Sequence, residues 1–234
     1  MIRLFTTTIL TVGFVLTGVS QDAEGLLLKL SEKAKTYKTI DATYSSKMVD
    51  LKNDFEEEMK GHILIEDSKF KLDLGDFLII SNGMSVWTYE KETNDCYLDD
   101  AEMLIDEGMD PSKIFTIWED DFKSEWMGKE SVSGKDCVHI NLYPKASDDK
   151  PYHTMQLFVD EAGLEVVKIV VKGREGMDTE YLIERFNVGV DIPSSNFSFD
   201  TNEYPGASII DNRIEKRVSV ELRLNTVQKC GDRF

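Results

Sequence analysis

From residue 42 onward the chain is written in short runs whose apolar and polar residues alternate at every second position. They are "ATYSSKMVD", "GHILIED", "KFKLDL", "FLIISNG", "SVWTYEK", "CVHINLYP", "TMQLFVD", "EVVKIVVKG" and "EYLIERFNVGV". Period two puts neighbouring side chains on opposite faces of a strand, so each run predicts a strand with one face in a core. Between the runs stand "SNG" at 81–83, "SGKD" at 133–136 and "DEAG" at 160–163, which supply Gly or Asn where a tight turn needs positive φ. Short strands joined by such turns predict a meandering antiparallel sheet built from sequential hairpins.

Three stretches depart from that rhythm. Residues 22–40 carry Leu27, Leu30, Ala34 and Tyr37 at three- and four-residue spacings, with Asp22 and Glu24 early and lysines late. This predicts an amphipathic helix whose charges suit its dipole. Residues 99–127 place Met103, Leu104, Ile114, Phe115 and Trp118 at helical spacings around Asp110 and Pro111, an N-cap followed by a first-turn proline. One or two short helices interrupting the sheet are expected there. From Asn212 the composition turns basic, and Val218, Val220, Leu222 and Leu224 alternate, which fits an extra strand or a tail over 214–234.

The first twenty residues have Arg3, an apolar run to Leu16 and small residues at Gly18 and Ser20. This is the pattern of a secretory signal peptide, shorter in its apolar part than the ~20 residues a membrane-spanning helix needs. With no cysteine near the expected cleavage point, the exported product is expected to be soluble, in the periplasm of a two-membrane bacterium. The length suits one domain after that leader, since domains commonly run ~100–200 residues, and the composition shift near Asn212 bounds it at 21–213.

The chain has 44 Asp and Glu against 27 Lys and Arg, a net charge of −17. Such a surface repels phosphate backbones and anionic headgroups, so nucleic acid is not an expected partner. Cys96, Cys137 and Cys230 are too few for a disulfide scaffold; one bridge is possible, and the sequence does not choose the pair.

Catalysis and metal binding find little to work with. Cys137 and His139 stand at i and i+2 on one strand face, half of a metal site with no second half, and an ordinary sheet face is the better reading. The acidic runs at 56–58, 99–100 and 119–121 lack a calcium-loop pattern. No phosphate-binding glycine loop, nucleophile elbow or H-E-x-x-H is present, so the chain reads as a non-enzyme without cofactor or metal. What is left is apolar: Phe70, Leu72 and Leu74 alternate on one strand and Trp87 and Tyr89 on another, with the directions of Leu64 and Val86 left open.

These residues resemble the LolA-type periplasmic carriers of outer-membrane lipoproteins. The resemblance runs over about residues 22–213: a helix after a signal peptide, "KFKL" at 69–72, "ISNGMSVWTYEKETNDC" at 80–96, "TMQLFVDEAGLEVVKIVV", and a closing "VDIPSSNFSFDTNEYPGASIIDN". It implies an incomplete antiparallel β-barrel with a helical lid over an apolar cavity. The implied ligands are lipoprotein acyl chains, received from an inner-membrane lipoprotein-releasing ABC transporter and passed by a monomeric carrier to an outer-membrane acceptor. A sensor or regulatory lipid- or protein-binding module on the same fold is the alternative. By position, the resemblance assigns lipid contact to Phe70 and Leu72 in the wall, to Ile114, Phe115 and Trp118 in the lid, and to Leu27 and Leu30 in the first helix. Leu64, Leu74, Trp87 and Tyr89 join that set as wall residues. Where the family carries a lid-latching arginine this chain has Glu66, so either the latch uses another donor, Lys69 or Lys71, or opening is controlled differently.

Overall fold

The structure, a computed structural model, describes residues 22–102, 116–119, 122–146 and 150–213. The expected signal peptide, the extension 214–234, and Ile114 and Phe115 lie outside the described residues.

The helix α1 (Ala23–Ala34) comes first. Leu26, Leu27 and Leu30 share its buried face, Glu24 stands in its first turn and Lys33 in its last, where each opposes the helix dipole. Twelve strands follow: β1 (Thr39–Asp50), β2 (Phe55–Glu66), β3 (Lys69–Asp73), β4 (Phe77–Ser81), β5 (Ser85–Glu90), β6 (Asp95–Asp100), β7 (Phe122–Val132), β8 (Lys135–Pro144), β9 (Tyr152–Asp160), β10 (Glu165–Gly173), β11 (Met177–Val188) and β12 (Ser208–Asp211). They form one open curled sheet in the order β12-β6-β5-β4-β3-β2-β1-β11-β10-β9-β8-β7.

Among the described residues eleven strands pair antiparallel, mostly as hairpins, which is what the period-two runs and their turns predict, and only β12 pairs parallel, with β6. The "SGKD" turn shows the mechanism. Ser133 and Gly134 both have positive φ, 52° and 79°, joining β7 to β8 with a turn whose twist matches the strands it connects.

Three strands escaped the sequence reading. The helices expected over 99–127 are corrected at both ends: Asp99 and Asp100 finish β6, Phe122 to Met127 begin β7, and Ile117–Glu119 is a single 3-10 turn. Phe122, Ser124 and Trp126 do alternate with Lys123, Glu125 and Met127, but the helical spacing just before them masks that period. The four-residue β12 is too short to show any period.

The sheet has two differently used faces. The inner face, on which α1 lies, is apolar: Val138, Ile140 and Leu142 of β8, Met155, Leu157 and Val159 of β9, and Val166 and Ile169 of β10 pack with Leu26, Leu27 and Leu30. On the adjoining strands it continues as Ile40, Ala42, Ile63, Ile65 and Phe70. The outer face is covered over β3–β6 by the segment between β11 and β12. There Phe199 and Tyr204 pack with Leu78, Ile80, Tyr89 and Cys96, and Phe197 is 2% exposed.

Candidate functional site

The inner face is the feature from which a function can be built. Direct pairing carries it from strand to strand: Phe70 stands opposite Ile65, which stands opposite Ile40, while Ala42 stands opposite Phe186. Partners directly across a ladder point to the same side, so these side chains form one continuous surface.

Helix α1 covers part of it. The buried Trp118 indole donates to Ser31 Oγ at 2.8 Å, binding the 3-10 turn to the helix, and Lys35 pairs with Glu119 at 2.6 Å. At the C-terminal end of α1, Lys33 Nζ donates to the Gly163 carbonyl at 2.5 Å and lies 3.4 Å from Glu165, clamping the helix to the β9–β10 turn. The Lys35 ammonium holds the Glu119 carboxyl below its ordinary range. Behind the clamp lies a cavity of ≈ 10 Å³, lined by Leu30, Ala34, Tyr37, Trp118, Leu164, Glu165, Val166 and Phe186. Helix side chains fill the inner face here.

Beyond the covered floor the same face runs toward the free ends of β1, β2 and β11. Ser46 stands opposite Met59 and Tyr181, Met48 opposite Glu57 and Thr179, and Asp50 opposite Phe55 and Met177. Phe55 is 50% exposed, Met59 37% and Met177 46%. Methionine is flexible and polarizable, so this strip can adapt to apolar ligands of irregular shape. None of Met48, Phe55, Met59 and Met177 was among the sequence candidates. In β2 the glutamates at 56–58 hide the alternation, and only knowledge of the register, with Ile63 and Ile65 facing inward, would have exposed it.

The sequence candidates divide. Leu27, Leu30 and Trp118 are buried together on the inner side. Phe70 is buried in the inner face with Leu72 packed beside it, and Leu74 follows two residues on, just past β3. Leu64, Trp87 and Tyr89, named as wall residues, lie on the other side of the wall. Leu64 stands opposite Asp41 and Lys71, and Trp87 opposite Ile80 and Leu98, all on the outer face. Tyr89 packs outside against Phe199 and Tyr204, with ring centroids 5.3 and 4.7 Å away, and donates to Asn94 at 2.7 Å. A period-two pattern fixes which residues share a face but not which face is inside. Val86, whose direction was left open, is opposite Ser81 and thus inward.

Glu66 pairs with Lys69 at 2.5 Å, and Lys69 also lies 5.4 Å from the centroid of the Phe197 ring. Lys69 therefore serves the outer covering, and the cationic clamp on the helix is Lys33. Cys96 and Cys137 are buried free thiols, with burial pushing Cys96 up to about 11. His139 stacks on Phe158 at 4.5 Å and its Nε2 lies 3.1 Å from Asn141 Oδ1, an ordinary outer-face arrangement. No cluster of metal-ligating side chains occurs among the described residues, and no helix among them is long and apolar enough to cross a membrane.

An open curled sheet with an apolar inner face and a helix laid across part of it defines an open half-barrel protein. The family described as "Outer membrane lipoprotein carrier protein LolA" matches residues 19–200, and this chain belongs to it. The chain is 24% identical over 194 residues to the uncharacterized protein MJ0687 of Methanocaldococcus jannaschii, covering 81% of this chain and 55% of that one. It thus spans about half the length of that relative. An uncharacterized conserved protein from Thermus thermophilus superposes with a TM-score of 0.54 at 10% identity, over 82% of this chain and all of that one. The LolA superfamily protein NE2245 from Nitrosomonas europaea does so at 0.41 and 11%, over 76% and 98%.

Proposed function

We propose that this protein is an exported, non-enzymatic carrier that shields lipoprotein acyl chains on the inner face of its half-barrel and moves them between membranes. In a two-membrane cell it would collect them from a lipoprotein-releasing ABC transporter and deliver them to an outer-membrane acceptor. Residues 1–20 would serve as signal peptide, 21–213 as the carrier domain and 214–234 as an extension. The observation that carries this reading is the inner face, apolar where α1 covers it and continued past the helix by a strip in which Met48, Phe55, Met59 and Met177 stand among Ser46, Asp50, Glu57 and Thr179.

The energetics suit a reversible carrier. Each methylene taken from water is worth ~0.8 kcal/mol, so an acyl chain of a dozen gains on the order of 10 kcal/mol on burial. If α1 gives way, three leucines lose roughly 1.5–3 kcal/mol each. The two terms are of similar size, so binding is favourable without being irreversible.

The test is protein purified from cells with active lipoprotein export. Native mass spectrometry should find bound lipidated polypeptide or phospholipid, and the delipidated protein should take up a fluorescent acyl probe. Unliganded protein that ignores the probe would remove the proposal.

A second reading, a sensor or regulatory module signalling through a protein partner, is favoured by one observation: the floor beneath α1 is nearly filled. Lipoprotein donation to outer-membrane vesicles separates the readings. A carrier donates, whereas a sensor forms a stable stoichiometric complex and does not.

A further inference from the structure

The sheet is not paired along its whole length. β10 and β11 pair only from Lys168 opposite Leu182 to Lys172 opposite Asp178. Past that point β10 pairs with β9 through a bulge between Val166 and Lys168. β11 continues to Val188 along β1 through its own bulge, opposite Thr43 and Tyr44. The two strands thus part company, each held on its far side, and a cavity of ≈ 360 Å³ lies where they separate.

Its lining changes character with depth. Lys135, Glu165, Glu184 and Arg185 supply charge, while Val166, Val167, Leu182, Ile183 and Phe186 supply apolar surface. Glu165, Val166 and Phe186 also line the small cavity beneath α1, so the split stands directly behind the helix seam. The closing contacts there are soft. Lys135 lies 3.9 Å from both Asp160 and Glu165 with half its side chain exposed, and the Lys33 clamp holds the same Gly163–Glu165 corner.

We propose that the split between β10 and β11 is a side port through which a single acyl chain enters the seam under α1. The chain slides between Val166 and Phe186 while its polar end stays at the charged rim beside Lys135 and Arg185. This rests on the acyl-binding reading above and adds the route. Separate strand edges alone would also suit an extended peptide, but the continuity of the split with an apolar seam favours an alkyl chain.

A port sets how fast a ligand passes without setting how tightly it is held. Val167→Cys with Glu184→Cys, joined by a reducible thiol-to-thiol spacer in a Cys230→Ser background, closes the split. Stopped-flow uptake and release of a hexadecanoyl chain carrying a fluorophore should both slow at least tenfold, leaving Kd within about twofold, and reduction should restore both rates. Glu184→Trp, a bulky change at an exposed rim position, should slow both without chemistry, and circular dichroism checks that each form is folded. Probe binding at unchanged rates in the closed form overturns the port while leaving acyl binding intact. Failure of every form to bind the probe overturns both. Competition by an unlipidated extended peptide that a hexadecanoyl peptide does not exceed assigns the split to peptides and overturns the port.

Discussion

Tyr44 shows how much a single side chain decides on the inner face. It stands opposite Gly61, and a Cβ at Gly61 would come within 2.2–2.6 Å of its ring, so glycine there is a matter of space. Gly61→Ala should cost on the order of 1–3 kcal/mol in urea unfolding, the usual penalty of overpacking. Burial, followed by Tyr181 and Asp73, pushes Tyr44 from 10.0 up to about 12. An unfolded tyrosine ionises at its ordinary value while the folded one keeps its proton. The contribution is therefore intact below pH 10 and is lost as pH climbs toward 12. Tyr44→Phe should flatten the fall of the urea midpoint across that window. The two inner tryptophans should also differ. Trp118→Phe removes the indole's bond to the buried Ser31 hydroxyl, which keeps its bond to Glu119, and should cost ~0.5–1.5 kcal/mol beyond lost area. Trp126 Nε1 is buried with no partner among the described residues, so Trp126→Phe should cost no more than area. Sequence offered Trp118 only as apolar bulk; the bond to Ser31 spans residues far apart in the chain and has no local signature.

At the scale of elements, the hinge of the reading is α1. Its face was legible because Leu27 and Leu30 recur at helical spacing, and one apolar side implies burial, but that the partner strands are β8 and β9 is known only from the structure. What sequence left hidden is how it is fastened. Lys33→Ala removes one half-exposed cationic clamp and should change global stability by less than about 1 kcal/mol. Amide exchange in the last turn of α1 and at Gly163–Glu165 should nevertheless quicken, because local opening draws on few contacts. Unchanged exchange there would mean that the buried leucines, not Lys33, set the opening. The strands were read well where one face is apolar and the other polar, as in β3 and β8. They were missed where acidic residues sit on both faces, as in β6, or where a neighbouring helical spacing dominates, as in β7.

The whole molecule divides into halves with different fastenings. Strands β7–β10 are covered inside by α1, and strands β3–β6 are covered outside by the segment running from β11 to β12. The curled, open antiparallel architecture was legible from alternation and turns. The identity of the inside was not, which is why the alternation of Trp87 and Tyr89 leaves open whether they face the ligand side or the outer packing, where the structure places them. Phe197→Ala in the outer segment should cost roughly 3–5 kcal/mol, the range for truncating a buried phenylalanine, measured as a shift in urea midpoint. It should leave acyl uptake rates untouched if the outer segment serves only as a fastening. That segment also has a mechanical consequence. It leaves β11 on one side of β1 and returns to the sheet at β12, crossing the convex surface like a tendon over a knuckle. Tighter curling would lengthen the path over the convex side, so the segment with its aromatic pins opposes closure of the strapped half. Any breathing of the half-barrel is thereby directed to the jaw that this strap does not cross, where α1 and the parting of β10 from β11 lie.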